Sequence, residues 1–381
     1  MSFWLALVTL VVVAAAMFVL VRGNRSIRFL CDLPADLPPR PPRVSLIVAA
    51  RNEERNIETA LDSLLAQDYP DYEVIVVDDR SIDSTPQILA RAQARNTKLR
   101  VVRIAALPEG WLGKNYALER GAADASGEIL IFADADVVMR ADTISRAIAH
   151  AFAASRDHLA ITPEMIGPGT MLGMFMSAFT MFFSLYARPW KAADPKSRCF
   201  IGIGAFNLVR AGVYRAVGGH ARIAMRPDDD IKLGKIIKDA GYSQEMLFGR
   251  GMIGVEWYPS IGALARGLEK NTLAGVDYSV AAIVGGALAQ TVLFVWPYLA
   301  LLCTSGMVFA LNAATCLLLL AACVDQTRFV GVSRWHAAGL PVATVLFIGI
   351  LLRATYVTLR DDGIDWRGTH YRLAALKANK V

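Results

Sequence analysis

Residues 129–137 read ILIFADADV, four consecutive apolar residues running into two carboxylates, Asp134 and Asp136, one residue apart. An apolar run of this kind reads as a strand buried on both faces. On an extended backbone, residues two apart point to the same side, so the two acids face one another at a strand end. Like charges so placed repel unless a cation lies between them. Hard oxygen ligands that leave positions for water and phosphate suit Mg²⁺ or Mn²⁺. Alone, Asp-x-Asp equally describes a surface turn, because the motif is very short. A second acidic cluster, Asp228-Asp229-Asp230, opens a helical stretch. The helix dipole accounts for acids at that position, and a helix start aimed into a cleft is also a place to hold a general base.

These groups need a frame, and the surrounding periodicity supplies one. VSLIVAA (44–50) reads as a buried strand, followed by Asn52-Glu53-Glu54 and a helix carrying Ile57, Leu61, Leu64 and Leu65. Residues 73–77 form a second strand ending in Asp78-Asp79-Arg80-Ser81. Asp83-Ser84-Thr85-Pro86 is a helix start, with Ser or Thr as cap and Pro in the first turn. A strand at 99–104, a helix at 117–125 and a strand at 129–133 follow. Strands alternating with helices predict a parallel, doubly wound α/β sheet, in which ligands bind off the carboxyl ends of the strands. Asn52 and Glu53, Asp78 and Asp79, and Asp134 and Asp136 all fall at such ends. Neither a G-x-G-x-x-G fingerprint nor a P-loop occurs, which favours a carboxylate-lined nucleotide site that meets phosphates through a metal. Residues 200–209 (FIGIGAFNLV) place Gly202 and Gly204 in a β-like run, predicting close approach of backbone to a ligand. Residues 231–240 read as a helix.

The chain is 55% hydrophobic and 19% charged over 381 residues, too apolar for an ordinary soluble enzyme. A soluble domain joined to membrane segments fits. The net charge of +6 is modest, and its basic residues flank apolar stretches, so lipid headgroups rather than nucleic acid are the expected anionic partner. Five cysteines form no C-x-x-C pair, which suits a reducing cytosolic face. Residues 3–21 are uncharged and long enough to span a bilayer; Arg22, Arg25 and Arg28 follow, placing the N-terminus outside and the next segment in the cytosol. The expected organisation is an N-terminal anchor (1–22), a proline-rich linker (23–43) and a catalytic domain (44–275). Within that domain, 171–190 reads as a membrane-interface helix, with a core helix and a re-entrant segment as the alternatives. Membrane or interfacial helices (276–360) and a basic cytosolic tail (361–381) complete it. Spans are expected near 281–302, 306–324 and 340–359, the last interrupted by Arg353. One plus three spans would leave the tail outside, whereas Arg360, Arg367, Arg372, Lys377 and Lys380 argue that it is inside; one C-terminal segment is therefore expected to be re-entrant or interfacial.

Together the motifs VSLIVAARNEERNI, VIVVDDRSIDST, ADADV and DDIKLGKIIKDAGY resemble, in order and spacing, those of a family 2 glycosyltransferase of the GT-A fold, over residues 44 to about 257. Arg80 stands where that family more usually has a small residue, often Gly, and Asp229 where it has Glu. EGWLGKNYAL, Trp257-Tyr258-Pro259 and GIDWRGTHY look like bacterial enzymes that glycosylate lipids, such as hopanoid-associated and carotenoid glycosyltransferases and, more distantly, ceramide glucosyltransferase. The Q-x-x-R-W helix of processive polysaccharide synthases is missing.

The resemblance implies a GT-A cytosolic domain with N- and C-terminal transmembrane helices, at a bacterial inner membrane. It also implies inverting, non-processive transfer from a UDP-sugar to a lipid hydroxyl. Asp136, with Asp134, would hold Mg²⁺ or Mn²⁺ against the diphosphate. Ala50, Asn52, Glu53, Asp78 and Asp79 would meet the nucleoside. Lys114 would reach the diphosphate or stand in solvent, and Trp366 and Arg367 would close over the donor or anchor at the interface. Asp230 would be the general base, with Asp229 as the competitor. Two other readings stay open: transfer to polyprenyl phosphate, and a membrane protein that binds a nucleotide sugar without turnover.

Overall fold

The computed structural model describes residues 2–167 and 169–381 and divides into two compact units. An α/β unit takes Ile27–Ile166, Pro189–Glu256 and Ala378–Val381; a helical unit takes the chain up to Ser26, Gly167–Arg188 and Trp257–Lys377. The α/β unit thus closes at Glu256, earlier than the boundary of 275 expected from sequence, and regains four residues after the last helices.

Helix α1 (Ser2–Arg25) opens the helical unit. The α/β unit then alternates as the pattern requires: β1 (Val44–Ala50), α2 (Ile57–Leu65), β2 (Tyr72–Asp79), α3 (Thr85–Arg95), β3 (Leu99–Ile104), α4 (Gly113–Asp124) and β4 (Ile129–Asp134). β1 pairs in parallel with β2 and β4, and β2 with β3. Both faces of these strands are covered, which is why their sequences are continuous apolar runs instead of alternating ones. Ser45 is the polar interruption in β1, and it is satisfied: its hydroxyl donates to Glu73 (2.7 Å) and accepts from the Gly127 amide (2.8 Å). The α3 start differs in detail from expectation. Ser84 holds the cap position without a side-chain hydrogen bond, and it is Asp83, one residue earlier, that accepts from the Thr85 amide at 2.9 Å.

The chain continues through β5 (Val138–Met139), α5 (Thr143–Ala153), β6 (His158–Thr162) and β7 (Glu164–Met165) before α6 (Thr170–Ala187), which belongs to the helical unit. It returns as β8 (Asn207–Arg210), α7 (Ala211–Ala216), α8 (Asp229–Asp239), β9 (Gln244–Phe248) and β10 (Ile253–Val255). The main sheet has seven strands in the order β3-β2-β1-β4-β8-β6-β9. β8 runs antiparallel to both neighbours, so the sheet is mixed. The expected strand over 200–209 is only its last part. Residues 200–206 leave the sheet because Gly202 and Gly234 let this segment lie backbone to backbone on α8: a Cβ on Gly202 would overlap the Asp230 carbonyl, and one on Gly234 the Ile201 carbonyl. The close approach at Gly202 is therefore to α8 and not to a ligand.

The segment after α1, read from composition as an extended linker, is docked. Leu30 and Leu33 are buried, the Phe248 amide donates to Arg28 O at 3.0 Å, and Phe29 packs on Phe248. Arg146 holds the carbonyls of Cys31 and Leu33. An open edge strand, β9, is thereby covered.

In the helical unit, α9 (Ile261–Thr272) precedes α10 (Val280–Gln290), which passes through a π-helical turn at Thr291–Val295 into α11 (Trp296–Cys303). Then come α12 (Gly306–Val330), α13 (Leu340–Arg360), a hairpin of β11 (Gly363–Trp366) and β12 (Thr369–Arg372), and α14 (Leu373–Ala378). Five helices among the described residues are long and apolar enough to cross a membrane by length and composition: Ser2–Arg25, Thr170–Lys191, Val280–Cys303, Gly306–Val330 and Arg334–Arg360. The ends of α1 and α12 are joined by polar contacts. Asn24 donates to Gln326 (2.6 Å) and to Ser184 (3.1 Å), and Arg25 pairs with Asp325 (2.8 Å).

Candidate active site

The parallel register brings the acidic strand ends together. Ala50 at the end of β1 lies opposite Asp78 of β2, and Ala49 lies opposite Asp134 of β4. Asn52 and Glu53, Asp78 and Asp79, and Asp134 and Asp136 therefore line one edge of the sheet, where the strands' carboxyl ends open. Asn52 takes a left-handed backbone (φ 54°), which Asn tolerates better than most residues. Its amide donates to Ser81 (3.0 Å), and its side chain accepts from the Ile82 amide (2.9 Å). The Glu53 amide donates to Thr85 (2.8 Å).

Asp78 and Asp79 are buried and engaged. Asp78 accepts from the Ser81 amide (3.1 Å) and pairs with Arg103 (3.4 Å). Asp79 pairs with Arg80 (2.7 Å) and Arg51 (3.4 Å). Arg80 has φ 58°, the conformation that explains why a small residue would serve well here. Gly113 opens α4 directly against the Asp79 carboxylate, with no room for a Cβ. Arg80 stood out in sequence only as a departure from the family's usual small residue, and Arg51, Arg103 and Gly113 were not singled out; the positive φ and the close approaches that define their roles are three-dimensional.

Lys114, in the first turn of α4, lies between the two acidic clusters. Its ammonium is 2.8 Å from Asp134 and 3.4 Å from Asp229, so it is not a solvent lysine. Burial alone would lower its pKa, but Asp134, Asp229 and Asp230 hold it above the ordinary lysine value. Asp136 is also raised, which in its case favours the neutral form. Burial, then the Asp134 and Glu53 carboxylates, hold its carboxyl well above the usual range, against the attraction of Lys114.

The aspartate triplet separates into three environments. Asp228 is buried in a two-pronged pair with Arg226 (2.9 and 2.9 Å). Asp229 is buried and faces Lys114. Asp230 is half-buried, and both its oxygens accept backbone amides: Gly204 (2.8 Å) and Ile231 (2.8 Å). Gly204 is also the link to the first cluster. Its carbonyl accepts the Asp134 amide (3.0 Å), and a Cβ there would stand 2.7 Å from the Asp134 carboxylate. Burial, then Asp229, push the Asp230 carboxyl up to about 7, against Lys114 and the Ile231 amide.

The loop before the triplet is held from two sides. Buried Asn115 of α4 donates to Ile223 O (2.7 Å) and Arg226 O (2.9 Å). Asn379 accepts from the Met225 amide (2.9 Å) and donates to Arg222 O (3.0 Å). Sequence gave no signal for Asn379, which lies 149 positions beyond Asp230. Trp366 and Arg367 sit in the helical unit. Trp366 lies under the Lys270 ammonium (4.0 Å), and Arg367 (φ 52°) with Gly368 (φ 78°) forms the two-residue turn of the β11–β12 hairpin.

Residues 45–218 match the model of glycosyl transferase family 2. This stretch is a family 2 glycosyltransferase domain. Over 105 residues the chain is 40% identical to a beta-monoglucosyldiacylglycerol synthase of Nostoc sp., an alignment covering 27% of this chain and 22% of that one. It is 28% identical over 221 residues to the 4,4'-diaponeurosporenoate glycosyltransferase of Staphylococcus haemolyticus, covering 56% of each chain. The chain thus spans from about a fifth to just over half the length of these relatives. Among solved structures it is similar to the mannosyltransferase PcManGT of Pyrobaculum calidifontis, solved in complex with GDP-Man and Mn²⁺. The TM-score is 0.60 and the identity 19%, over 95% of this chain and 99% of that one, a likeness of fold. The mixed sheet of the family 2 domain is that of the GT-A fold.

The donor set at the strand ends fits a divalent cation of the Mg²⁺ or Mn²⁺ class. It is all oxygen, and burial, with the neighbouring Asp134 and Glu53 carboxylates, pushes Asp136 up to about 7. Among the described residues no cluster of three His, Cys, Asp or Glu is arranged for a metal. Two carboxylates are what a site that shares its ion with phosphate oxygens requires.

Proposed function

We propose that the chain is an inverting, non-processive glycosyltransferase that moves a sugar from a UDP-sugar to a hydroxyl of a membrane lipid, at the cytoplasmic face of a bacterial inner membrane. The observation that carries this reading is Gly204, which joins a half-buried carboxylate to the Asp-x-Asp carboxylates through one residue. A group able to take a proton is thereby fixed next to groups able to manage a diphosphate.

Asp230 accepts the proton of the attacking hydroxyl. A carboxylate raised to about 7 is a better proton acceptor at neutral pH than an ordinary one, yet remains largely ionised just above it. Its two backbone hydrogen bonds fix its direction, so a hydroxyl meets it without reorganisation. Asp229 faces Lys114 instead, which makes Asp230 the base of the two. Asp136 and Asp134 would hold Mg²⁺ or Mn²⁺, which when bound supplies charge neutralisation to the leaving diphosphate. Lys114, now paired with Asp134 and Asp229, brings a second positive charge to the same place. Ala50, Asn52, Glu53, Asp78 and Asp79 line the strand ends where a nucleoside would lie; Asp78 and Asp79 would act there chiefly by shaping the turns that Arg80, Arg51 and Arg103 lock. The lipid acceptor is supported by the apolar helices and by the acceptors named for the two relatives.

The test is turnover by the full chain in nanodiscs, supplied with each labelled UDP-sugar and bacterial lipid extract. Label should enter the organic phase, and mass spectrometry should place the sugar on a hydroxyl. A sugar on a phosphate would transfer the reading to a polyprenyl phosphate acceptor. UDP binding without transfer to any lipid would leave a non-catalytic binder. Asp136→Ala should abolish metal-dependent UDP binding, and tight binding retained in EDTA would sink the metal role.

A further inference from the structure

We infer that only three of the five apolar helices cross the membrane: α1, the α10–α11 rod and α12. On this reading α6 and α13 lie in the leaflet that faces the family 2 domain. The inference takes the membrane reading of the chain as given and assigns each helix a course.

Parity decides α6. The chain before it and the chain after it, Ile27–Ile166 and Pro189–Glu256, form one unit, and β6 pairs with β8 and β9 within one sheet. A single crossing by α6 would put these strands on opposite sides of a bilayer. Helix α6 therefore enters and leaves on the same side.

The same count applies from Glu256 to Ala378, because Ala378–Val381 also belong to the α/β unit, with Asn379 hydrogen-bonded to Met225 and Arg222. The crossings between them must be even in number, whereas three helices are long enough to cross. The remaining elements do not alter the count: α9 has 12 residues and carries Arg266, Glu269 and Lys270, and α14 has six.

The contacts between α1 and α12 identify the helix that does not cross. The C-terminal end of α1 leads straight into the α/β unit at Ile27. Asn24 and Arg25 at that end bind Gln326 and Asp325 near the C-terminal end of α12. Both helices thus finish on the domain side, and α12 starts on the far side. The α10–α11 rod must carry the chain there, turning at Thr304-Ser305. Helix α13 then begins on the domain side and must end there.

Charge supports the assignment independently. No charged residue lies between Asp277 and Asp325, so the far-side turn is neutral, while Arg22, Arg25, Arg28, Arg328 and Arg334 gather on the domain side, as the positive-inside rule requires. Arg353, within α13, pairs with Glu269 of α9; in a helix lying along the leaflet this pair stays at headgroup depth. Tyr186 of α6 and Val342, Val345, Leu352 and Tyr356 of α13 are exposed. The partner they fit is the acyl-chain layer of that leaflet, the phase in which a lipid acceptor resides.

Single-cysteine labelling tests this course. In a background lacking the five natural cysteines, Cys303 is restored, or one of Gly169→Cys, Lys191→Cys, Ser333→Cys and Lys377→Cys is introduced. All five sites are exposed, and a Cβ at Gly169 has open space. Spheroplasts are treated with a membrane-impermeant maleimide before and after permeabilisation. Cys303 should be labelled at once, and the other four only after permeabilisation. Opposite accessibility of positions 169 and 191 would show that α6 crosses, and of 333 and 377 that α13 crosses. A shielded Cys303 would overturn the α10–α12 hairpin. Labelling does not require turnover, so the topology and the proposed reaction can fail separately.

Discussion

Asp230→Asn is the substitution on which the proposed chemistry turns. An amide has no useful basicity, so the general-base contribution is lost, about 10²- to 10⁴-fold in kcat, or about 3 to 5 kcal/mol of activation free energy. The structural cost can be worked separately. Both Asp230 oxygens accept backbone amides, from Gly204 and Ile231, each at 2.8 Å. An asparagine can satisfy one of them and turns its own NH₂ toward the other. A donor left facing a donor costs about 1 to 3 kcal/mol when buried, and the half-buried position sets this at the low end. Removing a carboxylate that Asp229 repels offsets part of it. The variant should therefore fold, melt close to the parent protein and bind UDP with metal normally, while transfer of labelled sugar to lipid falls at least a hundredfold. Titration calorimetry with UDP and an organic-phase transfer assay on the same preparation would separate the two effects. Turnover within a few-fold of the parent would refute the assignment of the base, and Asp229→Asn should then be the inactive variant.

The raised Asp230 carboxyl has consequences of opposite sign. Activity needs its ionised form, so kcat should rise with pH along an acid limb near 7, not near the 3.8 of an ordinary Asp. Stability of the metal-free protein should move the other way. The folded state holds the proton more tightly than the unfolded chain, so this group's contribution is full below about 4 and is lost as pH rises through about 7; melting curves at pH 5 and pH 8 would check it. Gly204→Ala places a Cβ 2.7 Å from the Asp134 carboxylate. That side chain can swing away, so the variant should fold yet bind UDP with Mn²⁺ about tenfold more weakly. Gly202→Ala meets the Asp230 carbonyl instead, and a backbone clash of this kind should sharply reduce the yield of folded protein. Asn379→Ala removes two hydrogen bonds from the loop before the triplet. It should loosen the loop by about 1 kcal/mol and lower kcat several-fold with the donor KM unchanged, and Asn379→Asp, which keeps the acceptor for Met225, should fall between.

The parts of the site that could be read from sequence are those with a short-range signature. Buried parallel strands write themselves as apolar runs, and their acidic ends mark the binding edge, so β1, β2 and β4 and the residues following them were located closely. Helix α4 begins at Gly113 instead of 117 because its first turn, GKNY, has little apolar pattern; what fixes it is the Asp79 carboxylate packed on Gly113. Lys114 could not be told from a solvent lysine because its two partners are 20 and 115 positions away. The triplet Asp228-Asp229-Asp230 reads as one cluster, yet Arg226, Lys114 and Gly204 give each acid a different environment. Amphipathic α9 escaped for the ordinary reason that a short, mixed-polarity helix resembles a surface loop in sequence. The course of the C-terminal helices was ambiguous because hydropathy counts candidate spans but carries no parity; that came from where Asn379 is held.

The clasp of Asn379 on Met225 and Arg222 also orders events in time. Helices α9 to α13 all lie between Asp228–Asp230 and this clasp in the chain. A ribosome adding roughly 5 to 20 residues per second reaches Asn379 roughly 7 to 30 s after Asp230. Once β9 and β10 have followed, the nascent protein has the strands of its sheet and its carboxylates but a loop secured only from the α4 side. On the proposed function, full activity waits for Asn379 to reach this loop, so a chain stalled before that point would hold its donor site without spending nucleotide sugar.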